Sequence, residues 1–312
     1  MSKITVTTNI NATPEQCYRA YLNLEDNKRW NTAGFGWSVG FVNIDPRVGG
    51  RWEAQYMNSD GVNNFVFGGT YTEIVPFEKI SYVMNESIAD IKETDRRGEV
   101  LFQENPVVTE KTPRQSATAT PHEGNSTKVT IIFDAEEQNS LEQQQFGWQS
   151  ILNNFKTFVE RKVNPNNVAL TKSIIINVPK EKVWNAIVDK ENYKLWTTPF
   201  CEGSYYEGEM KYDSKIRFMS PAKGGLSSVV KVCIPFFQIS FEHLGFIKDG
   251  VEELNNPEFG GWKGARETYT LNEINGVTTL DIYQEMTVNE PEFFDKSWDK
   301  ALAIIKQIAE QN

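Results

Sequence analysis

The 312-residue chain carries the same pattern twice, and no other feature constrains its fold as strongly, because each copy has to build the same unit. Near the start, Ile10-Asn11-Ala12-Thr13-Pro14-Glu15 reads against Ile176-Asn177-Val178-Pro179-Lys180-Glu181. At the same spacing Ala20 meets Ala186, Trp30 meets Trp196 and Thr32 meets Thr198. Near the ends, Trp148, Leu152, Phe155, Lys156, Phe158 and Glu160 meet Trp298, Leu302, Ile305, Lys306, Ile308 and Glu310. The second spacing is shorter by 16 residues, so the first copy holds that much extra chain in its middle. The 32 basic, 42 acidic and 8 tryptophan residues divide equally between residues 1–163 and 164–312. Val163-Asn164-Pro165-Asn166-Asn167 is a polar break with a proline, where a helix stops and a linker fits. The expectation is two domains of one type, 1–163 and 168–312.

Within the first copy, Ile4, Val6, Thr8 and Ile10 alternate as a half-buried strand does. Thr13-Pro14-Glu15-Gln16 has an N-cap, a first-turn proline and capping-box spacing, and starts a helix that ends near Trp30. Strand-like runs follow at 35–44, 51–57, 65–75 and 79–84, with a last hairpin expected from 114–120 and 128–133. A helix from about Leu141 to Arg161 closes the copy, with Leu141, Trp148, Ile151, Leu152, Phe155 and Val159 along one face. The second copy has the same order, and its Asn275-Gly276 between alternating runs is a hairpin signal. Strand, helix, several antiparallel strands and a long helix imply an α+β class: a curved antiparallel sheet with the helix across one face.

Composition narrows the function. Net charge is −10, which disfavours nucleic acid and anionic membranes as partners. No apolar run reaches the length of a membrane span, and the N-terminus lacks a signal-peptide core, so a cytoplasmic address is the default. Cys17, Cys201 and Cys233 form no CxxC pair, which disfavours a disulfide framework or structural zinc, and no cofactor motif is found. The glycines of Gly34-Phe35-Gly36-Trp37-Ser38-Val39-Gly40 have the wrong spacing for a dinucleotide loop.

Ala12-Thr13-Pro14-Glu15, Trp30, Val48-Gly49-Gly50-Arg51-Trp52, Gly69-Thr70-Tyr71-Thr72-Glu73-Ile74-Val75-Pro76 and Gly147-Trp148 together resemble the START-like (SRPBCC, Bet v-type helix-grip) superfamily. Within it they resemble the branch named for the activator of heat shock protein 90 ATPase. The second copy is similar at its opening and closing elements and lacks the Gly-Gly-Arg-Trp motif. The resemblance implies tandem helix-grip domains, each with an apolar cavity between sheet and closing helix. It also marks 85–113 as a polar insertion where the family has a short turn, serving as a lid, a partner contact or a surface excursion.

The residues that carry chemistry are few. His122 falls in a hairpin loop, and Glu242 and His243 point to opposite faces of one strand, so one of them is a candidate general base in the second copy. No metal-ligand set and no serine-histidine-acid spacing is legible. Aromatic side chains with one polar atom each suit a cavity wall, although core packing uses the same residues. The cavity candidates are Trp30, Trp37, Trp52, Phe67 and Trp148 in the first copy. In the second they are Trp196, Tyr205, Arg217, His243 and Trp298. Arg51 and Arg217 are candidate anchors for a ligand carboxylate. The expected function is non-catalytic binding of a small hydrophobic molecule. The alternatives are a cyclase or dehydratase acting in the second-domain cavity, or a stress-related interaction module with a protein partner or a second copy of the chain.

Overall fold

A computed structural model gives the fold and describes residues 2–34, 36–59, 64–85, 93–105 and 126–311. The chain divides into two compact units, with the main boundary between Asn164 and Pro165.

In the first unit, β1 (Lys3–Ile10) is followed by α1 (Pro14–Leu22) and α2 (Leu24–Trp30). Five strands come next: β2 (Trp37–Ile44), β3 (Arg51–Asn58), β4 (Phe65–Val75), β5 (Lys79–Asn85) and β6 (Glu93–Glu104). β7 (Thr127–Asp134) and the long α3 (Leu141–Val163) complete the unit. The curved sheet runs β1-β7-β6-β5-β4-β3-β2. Thr13 and Ser140 open α1 and α3 as capping boxes with Gln16 and Gln143. The expected single opening helix is two. Asn23 adopts an extended backbone and its side chain accepts from the Asp26 amide, ending α1 and capping α2 in one residue. The core forms where the inner sheet face (Val6, Ile80, Val100, Ile131, Phe133) meets Leu152, Phe155 and Val159 of α3. Each such side chain contributes roughly 1.5–3 kcal/mol of transfer free energy.

The second unit repeats this order. β8 (Asn167–Ile176), α4 (Lys180–Val188) and α5 (Lys190–Trp196) precede β9 (Tyr205–Gly208), β10 (Lys215–Met219), β11 (Gly225–Ile234) and β12 (Gln238–Lys248). A short β13 (Val251–Glu253) and a 3-10 turn (Pro257–Trp262) lead to β14 (Arg266–Ile274), β15 (Val277–Thr287) and α6 (Pro291–Gln311). The sheet runs β8-β15-β14-β12-β11-β10-β9, with β13 paired to β12. Asp189 breaks α4 from α5 as Asn23 does in the first unit, accepting from the amides of Glu191 and Asn192. Asn275 and Gly276, both at positive φ, make the β14–β15 turn. Among the described residues no helix is long and apolar enough to cross a membrane.

The expected insertion at 85–113 is corrected. Residues 93–104 are strand β6, paired on one side with β5 and on the other with β7, and Val100 and Phe102 are buried in the core. Polar residues on its outer face mask the alternation that makes it a strand. The extra chain of the first copy lies largely between β6 and β7, where residues 105–126 stand in place of Asn275-Gly276. The hairpin strand expected at 114–120, His122 and Phe35 lie outside the described residues.

Candidate functional site

The first unit holds an open-sided cavity of about 1200 Å3 between sheet and closing helix. Trp52, Ala54 and Tyr56 from β3, Phe67 and Tyr71 from β4, and Tyr82 from β5 form its floor. Gln144, Trp148 and Ile151, on one face of α3, form the roof. Tyr21, Asn27 and Asn31 close one end, and Glu136 to Asn139 form a polar rim.

The floor is shaped by glycine. Tyr82 pairs across the sheet with Gly98, and a β-carbon there would stand 2.4 Å from the Tyr82 ring. The absent side chain lets the ring lie along the sheet. The Gly49-Gly50 turn sets the opposite edge. Gly49 donates to Tyr71 O at 2.8 Å and Tyr71 donates to Gly50 O at 2.9 Å, which fixes Trp52 and Tyr71 in adjacent strands. Trp52 meets Phe67 and Tyr82 edge-to-face at 5.3 and 5.4 Å.

The amide side chains of the lining are bonded within the protein. Asn27 Nδ2 donates to Tyr21 O and Asn31 Nδ2 donates to Asn27 Oδ1. The Gln144 amide spans the carbonyls of Glu136 and Asn139, and Glu136 accepts from the Asn139 amide. Burial pushes the phenols of Tyr21, Tyr56, Tyr71 and Tyr82 above the usual tyrosine range, so they stay protonated as donors. Two buried donor atoms of the lining have no partner among the described residues: the phenol oxygen of Tyr82 and the indole nitrogen of Trp52.

Of the first-copy candidates, Trp37, Trp52, Phe67 and Trp148 line the cavity. Trp30 does not. It is 2% exposed, packs on Tyr21 and Phe155, and donates to Ala20 O at 3.2 Å. Arg51 is exposed. The arginine that reaches the cavity is Arg96, which shares the inner face of β6 with Gly98, Val100 and Phe102. Its Nε donates to Asp134 O at 3.2 Å. The expectation of a polar insertion at 85–113 leaves it off the sheet. Tyr56, Tyr71 and Tyr82 join the cavity candidates, and their inward alternation is present in the sequence.

The second unit has the same frame and no equivalent space. Tyr193, Trp196, Phe218, Phe241 and Tyr269 converge and leave no room for a water molecule. Trp196 stacks on Trp298 at 5.9 Å, and Phe200 and Tyr269 flank Trp298 at 5.0 and 5.7 Å. The repeat spacing sets Tyr193 at the position of Asn27. Thr127 and Thr278, which donate to Ala12 O and Val178 O, register the sheets and set Tyr269 at the position of Val100. A larger ring thus stands at each position, against Asn27 of the cavity lining and against Val100 of the core.

The second-copy candidates are therefore reassigned. Trp196 and Trp298 are core residues, donating to Ile187 O at 3.1 Å and Gln284 Oε1 at 2.5 Å. At β9 it is Tyr206, not Tyr205, that joins the core, donating to Val188 O at 2.6 Å. Arg217 is held by Glu207 at 2.6 Å and by Gly250 O at 2.8 Å on the outer face. Glu242 pairs with Arg266 at 3.2 Å, opposite to His243. His243 faces inward and is 0% exposed; Nδ1 lies 2.8 Å from Ser228 Oγ and Nε2 lies 3.5 Å from Glu267 Oε2. A base sealed this way has no substrate-sized space to act in. Among the described residues no group of three or more metal-ligating side chains comes together.

The comparisons with known proteins agree with this architecture. No curated protein matches the chain. An AHSA1-like protein from Aeromonas hydrophila is 30% identical over 52% of this chain and 94% of its own, with a TM-score of 0.39. The di-domain ARO/CYC StfQ from the steffimycin biosynthetic pathway is 11% identical over 99% of this chain and 98% of its own, with a TM-score of 0.51. That second likeness shows the fold: two helix-grip domains in one chain. Residues 11–160, nearly all of the first domain, match the family described as Activator of Hsp90 ATPase homolog 1-like protein. Through that domain, the chain belongs to the Activator of Hsp90 ATPase homolog 1-like family.

Proposed function

We propose that the first domain binds a small, largely apolar molecule in its cavity without transforming it, and that the second domain binds none. The carrying observation is the contrast between two copies of one frame: about 1200 Å3 of aromatic-walled space in the first and no room for water in the second. A pocket of this size with a few placed polar groups suits a drug-sized ligand. Catalysis through Glu242 or His243 has no support in the geometry, because one lies on the outer face and the other is sealed in the core.

The test is extraction of the purified protein with organic solvent, followed by mass spectrometry, on the wild type and on Asn27→Tyr. A small molecule at about one per chain, lost from the variant, is the expected result. The reading falls if neither the extract nor a panel of apolar aromatic probes shows binding, or if the variant binds as the wild type does. Ligand at 100 times its Kd adds about 2.7 kcal/mol to the stability of the domain that holds it.

A further inference from the structure

Burial without a partner is rare for a polar atom, and the first-domain cavity has two such atoms in adjacent side chains. Tyr82 is 2% exposed and its phenol oxygen has no hydrogen-bond partner. The Trp52 indole nitrogen is likewise buried and unpaired. Both side chains form the cavity floor, with ring centroids 5.4 Å apart. An indole nitrogen only donates, and a phenol kept protonated by burial donates too. One group that satisfies both has to be an acceptor.

The surroundings favour the same chemistry. The Tyr82 oxygen lies over Gly98, where a β-carbon would stand 2.7 Å from it. Two residues along the same inner face is Arg96, a cation on the cavity wall. The amide side chains at the other end and at the rim are bonded to the protein itself. The rim carboxylate Glu136 is turned to the amides and side chain of its own loop. The buried lining atoms without a partner among the described residues are therefore those of Trp52 and Tyr82, both donors.

We propose that the ligand carries a hydrogen-bond-accepting oxygen, a carbonyl or a carboxylate, that seats against Tyr82 O–H and Trp52 Nε1–H beside Arg96, with its apolar body along the aromatic wall. This rests on the reading of the cavity as a ligand site. Because both donors are closed to water, the oxygen reaches them as the two rings tilt. The new hydrogen bonds offset the cost of that tilt, since they satisfy atoms otherwise left unpaired.

Three probes with one aromatic body test this by equilibrium dialysis: 2-acetylnaphthalene, 2-naphthoate and 2-isopropylnaphthalene. At least one oxygen-bearing probe is expected to bind about tenfold tighter than the hydrocarbon. Tyr82→Phe should remove that advantage, while the unliganded variant melts at the same temperature or higher. Arg96→Gln identifies the oxygen: a selective loss of naphthoate marks a carboxylate, and retained acetylnaphthalene binding marks a carbonyl. Equal affinities for all three probes, unmoved by Tyr82→Phe, overturn the acceptor assignment and leave the cavity reading standing. Destabilisation of the free protein by Tyr82→Phe also overturns it, because the hydroxyl would then have a partner in the protein. Failure of all three probes to bind overturns the cavity reading itself.

Discussion

Trp298 donates its indole hydrogen to Gln284 Oε1 at 2.5 Å inside the second domain, whereas Trp148, its counterpart on the first closing helix, meets the ring of Phe133 at 4.6 Å. One tryptophan completes a filled core and the other roofs a cavity. Their replacements should therefore differ. Trp298→Phe leaves Gln284, 3% exposed, without its donor and is expected to cost about 2–3 kcal/mol. Trp148→Phe should cost under about 1.5 kcal/mol. Urea denaturation of both variants checks this, and equal losses would contradict the division between the domains.

Asn27→Tyr copies into the first domain the ring that Tyr193 places in the second. It removes the hydrogen bond from Asn31 to Asn27, with an expected cost of up to about 2 kcal/mol. Its larger effect should be on binding, with aromatic-probe affinity falling at least about tenfold as the ring occupies the cavity. Calorimetric titration reads both affinity and stoichiometry.

Gly98→Ala introduces a methyl against the Tyr82 ring and is expected to destabilise the first domain by about 1–3 kcal/mol. Pairing it with Tyr82→Leu should recover part of that loss, because the shorter side chain yields where the ring cannot. A double-mutant cycle that comes out additive would show that the two residues do not press on each other.

Thiol reactivity should separate the three cysteines. Burial pushes Cys17 up to about 12 and Cys233 up to about 11, while Cys201 is exposed. With a disulfide reagent at pH 8, one thiol should react promptly in the native protein and all three after denaturation. Prompt reaction of two or more in the native state would contradict this assignment.

Alkali should weaken the first domain through its buried phenols. Tyr21, Tyr56, Tyr71 and Tyr82 ionise at higher pH when folded than the ordinary tyrosine value of 10.0. Above that value the unfolded chain binds fewer protons than the folded one, so stability falls as pH rises. Below it both states hold the protons, and these groups add no pH dependence. Urea midpoints measured from pH 8 to 11, with tyrosinate absorbance followed in parallel, should show stability declining from about pH 10.

The sequence by itself determined what depends on near neighbours. The two copies, the capping box at Thr13, the inward faces of α3 and α6 and the Asn275-Gly276 turn all follow from local spacing, because helix and strand periods act over a few residues. Strand β6 was masked by its polar outer face, and with it Arg96, because only pairing with β5 and β7 shows which of its residues point inward. Tertiary structure alone decided which copy keeps a cavity. The aromatic counts of the two copies look alike, and in the second the rings that converge, Tyr193, Trp196, Phe218, Phe241 and Tyr269, come from positions far apart in the chain. Whether such rings meet or leave space is a matter of volume in a shared interior, and that is set by the sheet register and the helix above it.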